Sequence, residues 1–151
     1  MELKLLTAVL IVIGLFFLIY YGKQMVTSLT MKAERFALFH NKPAHPVINS
    51  LQQKLSAVHP IIGSLKIREG KESFTLNKKD VSLCLKDKKT GELYDDNMLT
   101  YVLLHEIAHV INKDDVGHTP KFHKKFDELL ERATQLGLFD PNKELVHDYC
   151  I

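Results

Sequence analysis

The chain has 151 residues, a length that suits one folded domain rather than two. Apolar residues make up 46% of the sequence and charged residues 25%, which excludes a disordered tail, a collagen and a disulfide scaffold. The net charge of +2 is too small to indicate a nucleic-acid partner.

An uncharged segment from Leu5 to Gly22 consists mostly of Leu, Ile, Val and Phe. About eighteen helical residues at about 1.5 Å each reach about 27 Å, close to a hydrocarbon core of about 30 Å. The segment ends without a small-residue cleavage site, which favours an uncleaved anchor over a signal peptide. We therefore expect residues 1–22 to be a single-pass transmembrane anchor. The Lys and Arg residues that follow the segment predict that the rest of the chain is cytoplasmic.

The organisation after this segment follows from prolines and apolar periodicity. For residues 23–46 we predict a juxtamembrane helix followed by a linker. The linker is expected because Pro43 and Pro46 interrupt the helical pattern. Residues 47–151 are expected to form the folded domain, which starts with an amphipathic helix over residues 47–58. Three strands are predicted over residues 65–67, 73–76 and 81–85, separated by turns, and they indicate a small antiparallel sheet.

Two further helices are predicted over residues 97–112 and 120–136. Thr119 supplies an N-cap for the second helix, and Pro120 suits its first turn. His147 and Tyr149 are expected in a last strand on the sheet, although either side chain could instead return to the cleft and stabilise an oxyanion. The predicted fold class is α+β, with the small antiparallel sheet packed on the first of these two helices.

The two cysteines, Cys84 and Cys150, could form one disulfide bond. A single possible bridge does not constitute a disulfide framework in a domain of this size. We therefore expect two free thiols in a reducing compartment.

The helix over residues 97–112 contains the motif His105-Glu106-Ile107-Ala108-His109. Residues at i and i+4 differ by about 40° around a helix, so His105 and His109 project from one face and can bind one ion. Glu106 lies about 60° beyond His109, where it can hold a water molecule rather than serve as an equal ligand. This pattern predicts a Zn²⁺ site, with Glu106 as the general base of a hydrolytic reaction.

A third protein ligand is needed, and the sequence offers three candidates. His118 is favoured because it lies directly before the N-cap of the next helix, where the chain folds back alongside the first. His123 lies at the margin of the apolar stripe of that helix. Glu128 has a suitable separation from His109 but points about 130° away from the stripe.

The residues around the motif resemble a known group of enzymes. Leu-Leu-His105-Glu-Ile-Ala-His109-Val, followed by Gly-His118-Thr-Pro-Lys-Phe122, is similar to the small zinc metallopeptidases of the WLM and SprT-like group. Residues 81–150 also resemble compact membrane-anchored proteins of this kind from large DNA viruses. The resemblance implies a minimal zincin-like domain with His105, His109 and His118 as zinc ligands and Glu106 as catalytic base.

The predicted function is therefore that of a membrane-anchored zinc metallopeptidase, which hydrolyses peptide bonds in a peptide or protein substrate. One alternative is a non-catalytic module in which zinc stabilises a small fold and the surface recruits a partner. The other is a SprT-like protease that acts on protein bound to nucleic acid. Glu106 weighs against the first alternative, and the weak charge weighs against the second, so direct nucleic-acid binding is not expected.

Overall fold

The computed structural model describes residues 14–31, 44–113 and 117–150. Contacts along the chain divide it into two units, Met1–Lys42 and Pro43–Ile151. In the first unit, helix α1 covers residues 14–31, and its side chains are exposed.

The predicted membrane anchor is wrong. Across the three described ranges, no helix is both long and apolar enough to span a bilayer. The described part of helix α1 includes residues 14–22 of the apolar segment and continues through the polar residues Lys23, Gln24 and Thr27. Residues 1–13, which include the start of the predicted anchor, lie outside the described part. The predicted single-pass membrane localisation is contradicted by the same finding.

The described residues of the second unit form three α-helices, one short 3₁₀ helix and three strands. In chain order these are α2 (Pro46–Leu55), the 3₁₀ helix (Pro60–Ser64), β1 (Lys66–Glu69), β2 (Phe74–Leu76), β3 (Asp80–Leu83), α3 (Asp96–Ile111) and α4 (Pro120–Gln135). Side chains cap the last two helices: Asp95 accepts from the Met98 N–H, and Thr119 accepts from the Phe122 N–H. The unit is α+β, as predicted.

The sheet is mixed rather than wholly antiparallel, so that part of the predicted fold is wrong. Its strand order is β1-β3-β2, with β1 parallel and β2 antiparallel to β3. The chain crosses the end of β3 between β1 and β2, and a Cβ at Gly70 would collide there with Ser82 Oγ. Apolar alternation predicts which residues form strands, but it carries no information on this crossing.

Helix α3 lies at the centre of the unit and packs against α2, α4, β2 and β3. Ten of its sixteen residues are buried. Helix α4 is amphipathic by contrast, because its buried side chains follow one stripe: Phe122, Phe126, Leu129 and Ala133. The core therefore fixes α3 from several sides, and any polar side chain on α3 lies close to neighbouring elements.

Cys84 and Cys150 form a disulfide bond with a Cα–Cα distance of 6.3 Å, so the expectation of two free thiols is wrong. The residues that lead to Cys150 also differ from the prediction, because residues 145–150 form neither a strand nor a helix. We call Leu145–Cys150 the C-terminal arm. Its position depends on side-chain contacts and on the disulfide, neither of which follows from local sequence patterns.

Candidate metal centre

Three histidines meet where α3 faces the start of α4. His105 and His109 project from the same face of α3, one turn apart. His118 directly precedes Thr119, the N-cap of α4, so the folding back of the chain brings its ring over α3. His118 Nε2 lies 3.0 Å from His105 Nε2 and 3.2 Å from His109 Nε2.

The two nitrogen–nitrogen separations that involve His118 suit a tetrahedral zinc ion. With Zn–N distances of about 2.0–2.1 Å, two nitrogen ligands of such an ion lie about 3.3–3.4 Å apart. The distances of 3.0 and 3.2 Å are close to this separation. Imidazole nitrogen is also a ligand type that zinc favours.

The two other candidate ligands lie outside this group. Within the described residues, only His105, His109 and His118 form a cluster of potential metal-binding side chains with ligand atoms within 4.8 Å of one another. The His123 ring centroid is 6.3 Å from that of His118, and the His123 side chain is exposed. Glu128 is exposed on α4, away from the buried stripe.

A buried phenylalanine supports the histidines. The Phe122 ring is fully buried, and its centroid lies 4.3 Å from that of His109. The corresponding distances are 5.0 Å to His105 and 4.8 Å to His118. Because one rigid ring contacts all three imidazoles, Phe122 restricts the directions in which their nitrogens can point.

The environment keeps two of the imidazoles neutral at physiological pH. Burial is the largest cause that lowers the pKa of His105 from 6.5 to about 4, and the neighbouring His109 and His118 rings, as potential cations, also contribute to this shift. Burial also lowers the pKa of His109, with smaller contributions from His118 and Lys78. Neutral imidazole is the form that binds a metal, so these shifts favour metal binding at neutral pH.

Glu106 is buried beside the histidines and has a hydrogen-bond partner on β2. The Thr75 hydroxyl lies 2.8 Å from Glu106 Oε2 and 3.0 Å from the Glu106 carbonyl oxygen, so it can donate to either. Burial raises the pKa of Glu106, and the bond from Thr75 partly opposes this rise. Sequence analysis did not identify Thr75, because nothing in a three-residue strand indicates which helix it faces.

A cavity of about 440 Å³ opens beside the histidines and Glu106. Residues of β2 and the following turn form its opposite side, among them Thr75 and Lys78. The Lys78 amine donates a 2.7 Å hydrogen bond to the carbonyl oxygen of Asn112, at the C-cap of α3. The predicted catalytic and metal-binding residues therefore share one accessible cavity.

Tyr149 lies near the site, but its hydroxyl already has partners. Tyr149 Oη lies 2.8 Å from Ser73 Oγ and donates to the carbonyl oxygen of Cys84. Burial raises the pKa of Tyr149 to about 12. Since its single proton is used by Cys84, Tyr149 is poorly placed to stabilise an oxyanion, and the other residue considered for that role, His147, is exposed.

The chain is similar in sequence to proteins of large DNA viruses. Uncharacterized protein 136R of Invertebrate iridescent virus 6 is 52% identical over 92 residues, which cover 60% of this chain and 51% of that protein. Uncharacterized protein R325 of Acanthamoeba polyphaga mimivirus is 41% identical over 68 residues, which cover 44% of this chain and 34% of that protein.

No known family model and no solved structure matches the chain. The chain spans about half the length of 136R, at 51%. The similarity to uncharacterized protein 042R of Invertebrate iridescent virus 3 is more extensive: the two are 41% identical over 113 residues, which cover 75% of this chain and 69% of that protein. The chain therefore belongs to the same protein family as 042R of Invertebrate iridescent virus 3.

Proposed function

We propose that the protein is a zinc-dependent peptidase, with zinc bound by His105, His109 and His118. The observation that carries the proposal is the convergence of three imidazole nitrogens, at 3.0 and 3.2 Å, beside the buried carboxyl group of Glu106. The resemblance of the surrounding residues to WLM and SprT-like metallopeptidases supports the same activity. When bound, zinc would polarise the scissile carbonyl group and lower the pKa of a water molecule.

Glu106 is the proposed general base. It follows His105 directly on α3 and therefore lies next to the ligands without sharing their direction. Because burial raises its pKa, Glu106 can accept the proton of the attacking water and then transfer it to the leaving amine nitrogen as the C–N bond breaks. The Thr75 hydroxyl, 2.8 Å from Oε2, holds the carboxyl group in place during both transfers.

Strand β2 is the proposed binding site for the substrate backbone. Among the described strands, β2 pairs with β3 alone, so its outer edge offers backbone N–H and C=O groups to an extended peptide. Thr75 of β2 contacts Glu106, whereas Phe74 and Leu76 are partly exposed on the other face. A peptide paired with β2 would therefore pass directly beside the catalytic carboxyl group.

The main alternative is that zinc only stabilises the fold. A structural zinc site usually has four protein ligands, whereas the described cluster has three histidines and a neighbouring carboxyl group that lies outside it. The three-ligand arrangement favours catalysis, because it leaves a fourth position for water or substrate.

The Glu106→Gln variant distinguishes a catalytic role of zinc from a purely structural one. It removes the base while conserving size, so the rate of cleavage of denatured casein should fall by about 10² to 10⁴. The zinc content, measured by atomic absorption, should not change. Glu128→Gln is the matched control, because Glu128 is an exposed acid on α4, and it should cleave at the parental rate. A Glu106→Gln protein that cleaves as fast as its parent would contradict the proposal and favour a structural role for zinc.

A further inference from the structure

A second cavity, of about 470 Å³, lies on the other side of Glu106. It shares Ser73, His105 and Glu106 with the cavity at the metal centre, so the two cavities adjoin at the proposed catalytic carboxyl group. No step of the proposed mechanism uses it. We call it the arm pocket, because residues of the C-terminal arm form one of its walls.

The floor of the arm pocket is apolar and belongs to α3. Met98, Tyr101 and Val102 lie one to two turns before His105 and Glu106, on the helix face that leads to these residues. Met98 and Val102 are buried, with 5% and 8% of their surfaces exposed. A side chain that enters the pocket therefore leaves water for an apolar surface next to the reacting groups.

The opposite wall consists of Val146, Tyr149 and Cys150 from the C-terminal arm. Three kinds of contact fix this wall in the absence of regular secondary structure. Cys150 is bonded to Cys84, and its N–H donates to Tyr94 Oη at 3.0 Å. The Tyr149 ring packs at a tilt against Tyr94, with 4.8 Å between ring centroids, and its hydroxyl is held by Ser73 and Cys84. The wall is therefore fixed before any substrate binds.

We infer that the arm pocket binds an uncharged apolar side chain of the peptide substrate, which makes the C-terminal arm a determinant of specificity. This inference rests on the proposed peptidase function and deepens it. The pocket is large enough for such a side chain and opens at Glu106, beside the path of a peptide paired with β2. An acidic side chain would meet the carboxyl group of Glu72, which also lines the pocket, and any charged side chain would lose hydration on the apolar floor.

The test measures binding rather than cleavage. Short alanine-based peptides carrying Leu, Asp or Lys at each internal position in turn are titrated into the zinc-loaded Glu106→Gln protein. At one position, the Leu peptide should bind about tenfold more tightly than the Asp and Lys peptides. Equal affinities for all three series, tighter binding of a charged series, or no measurable binding would overturn the inference.

A second pair of variants tests whether the C-terminal arm causes the preference for Leu. Val146→Lys, made in the Glu106→Gln protein, places a cation on the wall and should abolish the preference for Leu while strengthening binding of the Asp peptide. Leu136→Lys is the matched control, because Leu136 is similarly exposed (39% against 45% for Val146) and is not part of either cavity. The same effect from both substitutions would overturn the role of the arm. If the peptide preference is found but the parent cleaves none of these peptides, the proposed catalytic function fails and the inferred binding site does not.

Discussion

The two sides of Glu106 are held together in different ways. On the metal side, all three candidate ligands come from residues 105–118, on α3 and directly before α4, and Phe122 packs against them. On the other side, the C-terminal arm is joined to Cys84, 66 residues away, by a disulfide and by hydrogen bonds of Tyr149. The difference indicates that the proposed chemistry depends mainly on local helix geometry, whereas the proposed selectivity depends on a long-range covalent link. The two properties should therefore respond to different substitutions.

The largest expected effect on stability comes from the disulfide. Closing a loop of 66 residues restricts the unfolded chain, so Cys84→Ser combined with Cys150→Ser should lower the free energy of unfolding by about 4 kcal/mol. Denaturant titration of the metal-free protein measures this loss. The affinity of the folded variant for zinc should remain parental, because neither cysteine contacts the histidines.

The reductant tris(2-carboxyethyl)phosphine provides the control for this prediction. It should destabilise the parent by a similar amount and leave the serine variant unchanged. If the reductant has no effect on the parent, the disulfide is not what fixes the C-terminal arm.

On the metal side, His118→Ala should weaken zinc binding by more than 100-fold, since the loss of even an outer contact of a metal ligand costs 10- to 100-fold. His123→Ala is the matched control, because His123 is exposed and its ring lies 6.3 Å from that of His118. Competition with a chromophoric chelator measures both affinities. Equal losses in the two variants would contradict the assignment of His118 as the third ligand.

A smaller effect is expected from pH. The pKa of His105 falls from 6.5 to about 4 on folding, so between these values the unfolded chain binds more protons than the folded one. The metal-free protein should therefore lose stability as the pH falls from about 6.5 to about 4, and keep it above 6.5. His105→Gln should reduce this dependence.

The exposed His147 provides the comparison for this pH experiment. Denaturant midpoints are measured for His105→Gln and His147→Gln across the same range. A pH dependence that is parental in His105→Gln and reduced in His147→Gln would show that another histidine is responsible.

The contrast between local helix geometry and long-range contacts also explains what could be predicted from the sequence. His105, Glu106 and His109 follow from helix periodicity, and Thr119 with Pro120 fixes where α4 begins, so the main helices could be located without a structure. Their assignment as ligands and base stays a prediction.

The remaining features depend on contacts between distant residues. Thr75 reaches Glu106 from a strand 31 residues earlier, and Tyr149 reaches Cys84 across 65 residues. No local pattern encodes such distances. The parallel pairing of β1 with β3 also does not follow from the sequence, because alternation does not specify strand direction.

The most direct test of zinc-dependent cleavage is zinc titration into the metal-free 151-residue chain, with peptide cleavage and bound zinc recorded together. Removal of zinc by a chelator should abolish cleavage. Activity should then return in proportion to added zinc and saturate at one ion per chain, because the three histidines form one site. Cleavage that persists at the parental rate in the metal-free chain, or zinc that binds at one ion per chain without restoring any cleavage, would contradict the assignment of a zinc peptidase.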